Sequence, residues 1–167
     1  MALFPPAPGG GKEVEHGYKG KGSLLHLVVD KKGNPLWVTS TSAKGDERKQ
    51  ALVLLDHLSI AQIKDNQTMS ICEADKGYDS DPLRSEILNK GYVPVIGHRK
   101  NRVGKISTKM VADFFQIVRI RWKVERAFAW IKRRCRRLLM RWERLPELWE
   151  AFAITGVIYM WLKILVG

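Results

Sequence analysis

The sequence predicts an α/β fold, a mixed sheet flanked by helices with a further helix at the C-terminus. Two β-branched apolar runs around Lys32-Gly33-Asn34 form a hairpin signal, so the sheet is not wholly parallel. Two more short apolar runs alternate with helical periods, and the chain ends on its longest helical patterns. With 167 residues, 45% of them hydrophobic and 28% charged, one domain can build its own core, which excludes a disordered or collagen-like chain.

The first 22 residues hold Pro5, Pro6, Pro8 and Gly9-Gly10-Gly11 without an apolar period, and predict a mobile arm. Ser23 to Asp30 and Pro35 to Ser40 are the antiparallel hairpin strands. Asp46 suits the N-cap of a helix to about Leu58, with Ala51, Leu54, Leu55 and Leu58 on one face. Met69 to Ala74 reads as a strand ending in Asp75. Ser80-Asp81-Pro82 opens a second helix, in which Leu83, Ile87 and Leu88 face inward up to Gly91. Val93 to Ile96 is a further strand. A basic, irregular segment follows and leads into a long helix, roughly Phe114 to Arg144, and a last helix follows Pro146. The expected organisation is an arm over 1–22, a domain over 23–145 and a C-terminal helix over 146–167. The apolar tail Ala151 to Gly167 has 17 residues and contains Gly156 and Lys163. A bilayer span needs about 20, so a docked helix is expected rather than a membrane partner.

Charge narrows the function. The net charge is +12, yet residues 97–144 alone hold 16 Lys and Arg against Asp113, Glu125 and Glu143. Such a concentration attracts a polyanion, nucleic acid before anionic membrane. Cys72 and Cys135 lie far apart, outside any zinc or disulfide spacing, and the start carries no secretory pattern, so a cytoplasmic, reducing setting is expected. The phosphate-loop spacing G-x-x-x-x-G-K-[ST] is absent.

Two acids stand out. Asp75 closes a short strand, at the sheet edge where α/β folds bind ligands, although an Asp also simply starts turns. Glu125 is the only acid between Asp113 and Glu143, amid the eleven basic residues from Arg119 to Arg144. At about 100° per residue Arg121, Glu125 and Lys132 share one face of the long helix, beside an apolar stripe that includes Val124, Phe128 and Ile131. Glu125 fits an i, i+4 ion pair with Arg121 or a metal-ligating carboxylate equally well. Phosphodiester chemistry at neutral pH suits carboxylates that hold Mg²⁺ or Mn²⁺. His26 reads as a core residue, His98 as a phosphate contact or plain surface, and His16 and His57 show no metal spacing. Trp122, Trp130 and Trp142 either pack on the last helix, the favoured reading, or stack on DNA.

The blocks Lys19 to Leu36, Ala43 to Gln50, Ala74 to Ser80 and Arg121 to Arg133 together resemble bacterial insertion-sequence transposases of the DDE type, groups four and five. The resemblance implies an RNase H-like catalytic domain with an Asp-Asp-Glu triad on two divalent metal ions, Mg²⁺ or Mn²⁺. Asp75 is then the second carboxylate and Glu125 the third. Arg121 and Lys132 keep the family's Tyr-Arg-Glu-Lys spacing, with Val118 in the Tyr position, and would touch DNA phosphate near the cut. Arg99, Lys100 and Arg102 in the basic segment, and Arg133, Arg134, Arg136 and Arg137, are further DNA-contact candidates. The implied activity is hydrolytic nicking at transposon ends, then attack of the freed 3′-hydroxyl on target DNA, by a homodimer at the bacterial nucleoid. No strand suited to the first Asp is legible before Ser23, and Asp30 and Asp46 are weak substitutes. The expectation is therefore a domain without its central strand, inactive in cleavage alone or acting as a DNA-binding regulator. A basic RNA-binding protein is the third reading.

Overall fold

The computed structural model describes residues 2–59, 70–99 and 108–166. Strands β1 (Ala2–Leu3), β2 (Glu15–Gly17), β3 (Gly20–Val29) and β4 (Pro35–Ser42) precede helix α1 (Glu47–Ser59). Strand β5 (Ser70–Ala74), helix α2 (Asp81–Asn89), strand β6 (Tyr92–Ile96), and helices α3 (Thr108–Arg134) and α4 (Pro146–Val166) follow. The architecture is mixed α/β. Its antiparallel and parallel pairings fall in two sheets among the described residues, whereas one mixed sheet was expected.

β3 is the centre of the antiparallel sheet. It pairs with β4 from Ser23↔Ser42 to Val28↔Trp37, and the two-strand turn is closed by Gly33 at φ +87°, a conformation other residues adopt only at a cost. Alternation then sorts the side chains. Leu25, Leu27 and Val38 point to one face, where α3 and α4 bring Ala127, Phe128, Ile131, Trp149, Ala153 and Val157 into the main core. Burying each large apolar side chain there contributes about 2 kcal/mol. The other face meets α1, through Trp37 stacked on His57 and Thr39 bonded to Gln50.

The parallel pair β5–β6 builds a second core with α1 and α2 from Leu55, Tyr78, Leu83, Ile87, Tyr92 and Ile96. α1 thus lies between this second core and the outer face of the antiparallel sheet, and Asp46 caps it as expected by accepting from the Arg48 amide at 2.9 Å. α2 begins at Pro82's turn, but Ser80 makes no side-chain cap bond.

Three expectations need correction. Residues 2–22 are not a free arm: β1 pairs with β3 on the side away from β4, β2 pairs with the start of β3, and Ala7 is fully buried. Backbone bonds from Ala7 to Lys21, Ser23 to Pro5 and Arg141 to Pro6 hold the segment, which is why it lacks an apolar period yet is ordered. A short strand therefore does precede Ser23, at Ala2–Leu3. Second, α3 ends at Arg134 rather than near Arg144. The chain leaves the helix at Cys135 and makes a 3-10 turn, Arg136–Leu139, that drives Leu138 into the core. Gly156 of α4 lets that turn approach, since a Cβ there would lie 3.3 Å from both Cys135 Sγ and Leu138 Cδ1. Third, α4 runs 21 residues from Pro146 and is long and apolar enough to span a bilayer by length and composition. Trp149, Ala153, Val157 and Met160 nevertheless bury in the main core.

Candidate active site and nucleic-acid surface

Asp75 follows the carboxyl end of β5, one residue beyond the last β5–β6 pair, Ala74↔Ile96. Its Oδ1 accepts from the Lys76 amide at 2.6 Å, starting the 3-10 turn Lys76–Tyr78 and leaving Oδ2 outward. On α3 the i, i+4 spacing sets Arg121 Nε donating to Glu125 Oε1 at 3.0 Å. The same guanidinium places Nη1 at 3.7 Å from Asp75 Oδ2. The two acids singled out in the sequence, fifty residues apart, thus share one cation. All three side chains stay accessible, 40% for Asp75, 55% for Arg121 and 48% for Glu125, so the group opens to solvent.

Beside it lies a cleft of about 330 Å³ lined by Asp75, Lys76, Gly77 and Arg99. Arg99 reaches the Lys76 and Gly77 carbonyls, and Arg48 from α1 donates to the same Gly77 oxygen at 3.3 Å. Behind the turn, Asp79 has no solvent exposure of its side chain. Its Oδ1 takes Arg84 Nη2 at 3.1 Å and stands 3.4 Å from His98 Nδ1, while Oδ2 takes the Arg99 amide at 3.0 Å. Burial pushes this carboxyl up, but the Arg99 amide and the Arg84 guanidinium outweigh it and hold it below the usual range. Asp79 therefore ties the turn after β5 to the loop after β6, and so sets where Arg99 lies against Asp75.

The donors at the site are hard carboxylate oxygens open to solvent, the kind that suits Mg²⁺ or Mn²⁺. Among the described residues no third His, Cys, Asp or Glu groups with them.

Residues 4–161 match the family profile described as the transposase DDE domain. The chain is also 33% identical over 138 residues to the putative transposase for insertion sequence element IS402 of Burkholderia cepacia. It belongs to the DDE transposases of bacterial insertion sequences. The aligned part covers 81% of this chain and 60% of that relative, so the chain spans less than two thirds of the length of the curated protein it matches. No solved structure matches. DDE transposases act on DNA and generally use divalent metal ions, which agrees with the carboxylate donors here.

The other sequence-predicted positions of this transposase divide into three groups. Lys132 is exposed on the Glu125 face, about 10 Å further along α3. Arg133, Arg134 and Arg136 are exposed around the helix end. Arg137 is committed instead to Glu143, at 2.7 Å, and lies over the Phe152 ring at 5.5 Å. Lys100 and Arg102 lie outside the described residues, as does the side chain of Val118. Trp122 and Trp142 are 49% and 55% exposed, so only Trp130 packs as favoured, against Tyr159 with ring centroids 5.8 Å apart. Sequence reasoning missed Asp79, Arg84 and Arg48. The available signal was Asp79 itself, four residues after Asp75 in the block that carried the resemblance.

Proposed function

We propose that this chain is an RNase H-like catalytic domain of an insertion-sequence transposase, in which Asp75 and Glu125 hold a divalent metal ion against DNA. The observation that carries this is the shared guanidinium: two carboxylates from distant parts of the chain converge on one positive charge at the end of a strand. When bound, Mg²⁺ or Mn²⁺ would supply a Lewis acid and a water activated for attack on phosphorus. The chain's own residues do the rest. Asp75 and Glu125 supply anionic oxygens, Arg99 keeps the Lys76–Gly77 turn in place, and Arg121, Lys132 and the exposed arginines after residue 132 meet DNA phosphates, at transposon ends and at the target. Strand cleavage followed by 3′-hydroxyl transfer is the reaction this arrangement serves, with two copies on paired ends in the bacterial cytoplasm.

A second reading rests on the pairing of only two carboxylates at the described site: a DNA-binding chain that competes with other transposase copies for ends without cutting them. Titration of Mn²⁺ into the DNA-bound chain tests the site directly. Asp75→Asn and Glu125→Gln each weaken Mn²⁺ binding at least tenfold if the proposal holds, and unchanged binding in both overturns it. Nicking of end-containing duplex with Mg²⁺ by the purified chain decides for the catalytic reading over the competitor.

A further inference from the structure

The β3–β4 turn is fastened to α3 by two basic side chains. Lys123 Nζ donates to the Lys31 carbonyl and Arg126 Nη2 to the Lys32 carbonyl. Carbonyls are neutral, so these bonds hold the turn without cancelling either charge. The Lys31 and Lys32 side chains are exposed, and Lys163 of α4 lines a cleft of about 340 Å³ together with Gly33, Asn34 and Arg126. Five cations gather there. The acids facing them are Asp30, which caps the turn through the Lys32 and Asn34 amides, and Glu73 of β5, which faces Lys123. The excess is therefore positive and turned to solvent.

The position matters as much as the charge. At about 100° per residue, Arg121 and Glu125 lie on one flank of α3 and Lys123 on the other, with Trp122, Arg126 and Arg133 on the outward ridge between them. Trp122 is half exposed on that ridge, and Arg126 sits 4.7 Å over its ring. A helix is about 10–12 Å across. That is roughly three steps of a duplex at 3.4 Å each, so one DNA molecule can touch the carboxylate flank and the turn flank together.

We propose that DNA leaving the Asp75–Glu125 site crosses the outer ridge of α3 and is held beyond it by a phosphate clamp made of Lys31, Lys32 and Lys163, with Arg126 at its centre. The contacts are to backbone phosphates and are independent of base sequence, since the cations come from a turn and two helix flanks that present no reading element to a groove. The inference rests on DNA as the substrate of the carboxylate site.

Fluorescence anisotropy with a labelled duplex of arbitrary sequence, read over a series of salt concentrations, tests it. In Lys31→Ala/Lys32→Ala/Lys163→Ala the slope of log K against log salt flattens by about two to three, near 0.9 for each phosphate that is no longer neutralised, and affinity at low salt falls at least about tenfold. The matching triple Arg variant restores both, because a guanidinium still pairs with phosphate. All three side chains are exposed, and circular dichroism checks that the fold is kept. Wild-type chain that binds no duplex sinks the substrate reading and the clamp together. Wild-type chain that binds, with affinity and slope unchanged in the Ala triple, sinks the clamp alone. Loss of binding to phosphatidylserine vesicles with duplex binding intact assigns the patch to a membrane surface and likewise overturns it.

Discussion

Arg141 Nη1 donates to Ser23 Oγ at 2.6 Å with neither residue reaching solvent. The rest of the guanidinium bonds the Glu143 carbonyl through Nε and the Lys12 carbonyl through Nη2. One buried cation therefore joins residues before β3, the start of β3 and the segment after α3. Burial lowers its pKa from the ordinary arginine value, against the pull of Glu13, Glu143 and Glu147. Arg141→Met keeps the stem's packing but strands three acceptors, which costs about 3 kcal/mol. The urea midpoint should drop accordingly, and residues 2–22 should become the first site of limited proteolysis. A variant with wild-type midpoint and wild-type cleavage pattern contradicts the latch.

His26 gives the fold a pH dependence. It lies within β3 at 1% exposure, its Nε2 and Thr41 Oγ1 are 2.7 Å apart, and its Nδ1 has no partner among the described residues. Burial pushes the imidazole down from 6.5 to about 4. The unfolded chain binds this proton first, so stability is whole above pH 6.5 and falls as pH drops towards 4. The loss is on the order of 3 kcal/mol by the bottom of that window. Urea midpoints of wild type and His26→Gln should run parallel above neutrality and converge or cross between those values. Curves that stay parallel throughout show that the imidazole is not the titrating group.

Much of this was legible from the chain because it rests on local rules. The hairpin follows from Lys32-Gly33-Asn34, α1 from its Asp46 cap and apolar face, and the facing of Arg121, Glu125 and Lys132 from helical geometry alone. Asp75 was legible as the acid closing a strand. What escaped depends on packing between distant segments. Residues 2–22 are held by backbone bonds and by Arg141, and neither leaves a period in the sequence. The early end of α3 is decided by Leu138 and Gly156 meeting across the core, where the helical pattern in the sequence carried on to about Arg144. Asp79 is set apart by the Arg84 side chain and the Arg99 amide closing on it, contacts that no local pattern around residue 79 announces.

Arg121 was expected on DNA phosphate, and in the structure it lies between Asp75 and Glu125. Both roles follow from one charge, and they make a testable sequence of events. Without DNA the guanidinium occupies the space between the carboxylates, so a divalent ion must displace it. Each exposed pair is weak, so the competition is modest. Arg121→Ala should therefore bind Mn²⁺ about two- to fivefold more tightly than wild type, as read by water-proton relaxation. With duplex present the wild-type guanidinium has phosphate to neutralise instead, and the difference between the two proteins should close. The variant should also bind duplex with a salt slope flatter by about one. Weaker Mn²⁺ binding by the variant in the absence of DNA would mean that Arg121 organises the carboxylates rather than competing for them.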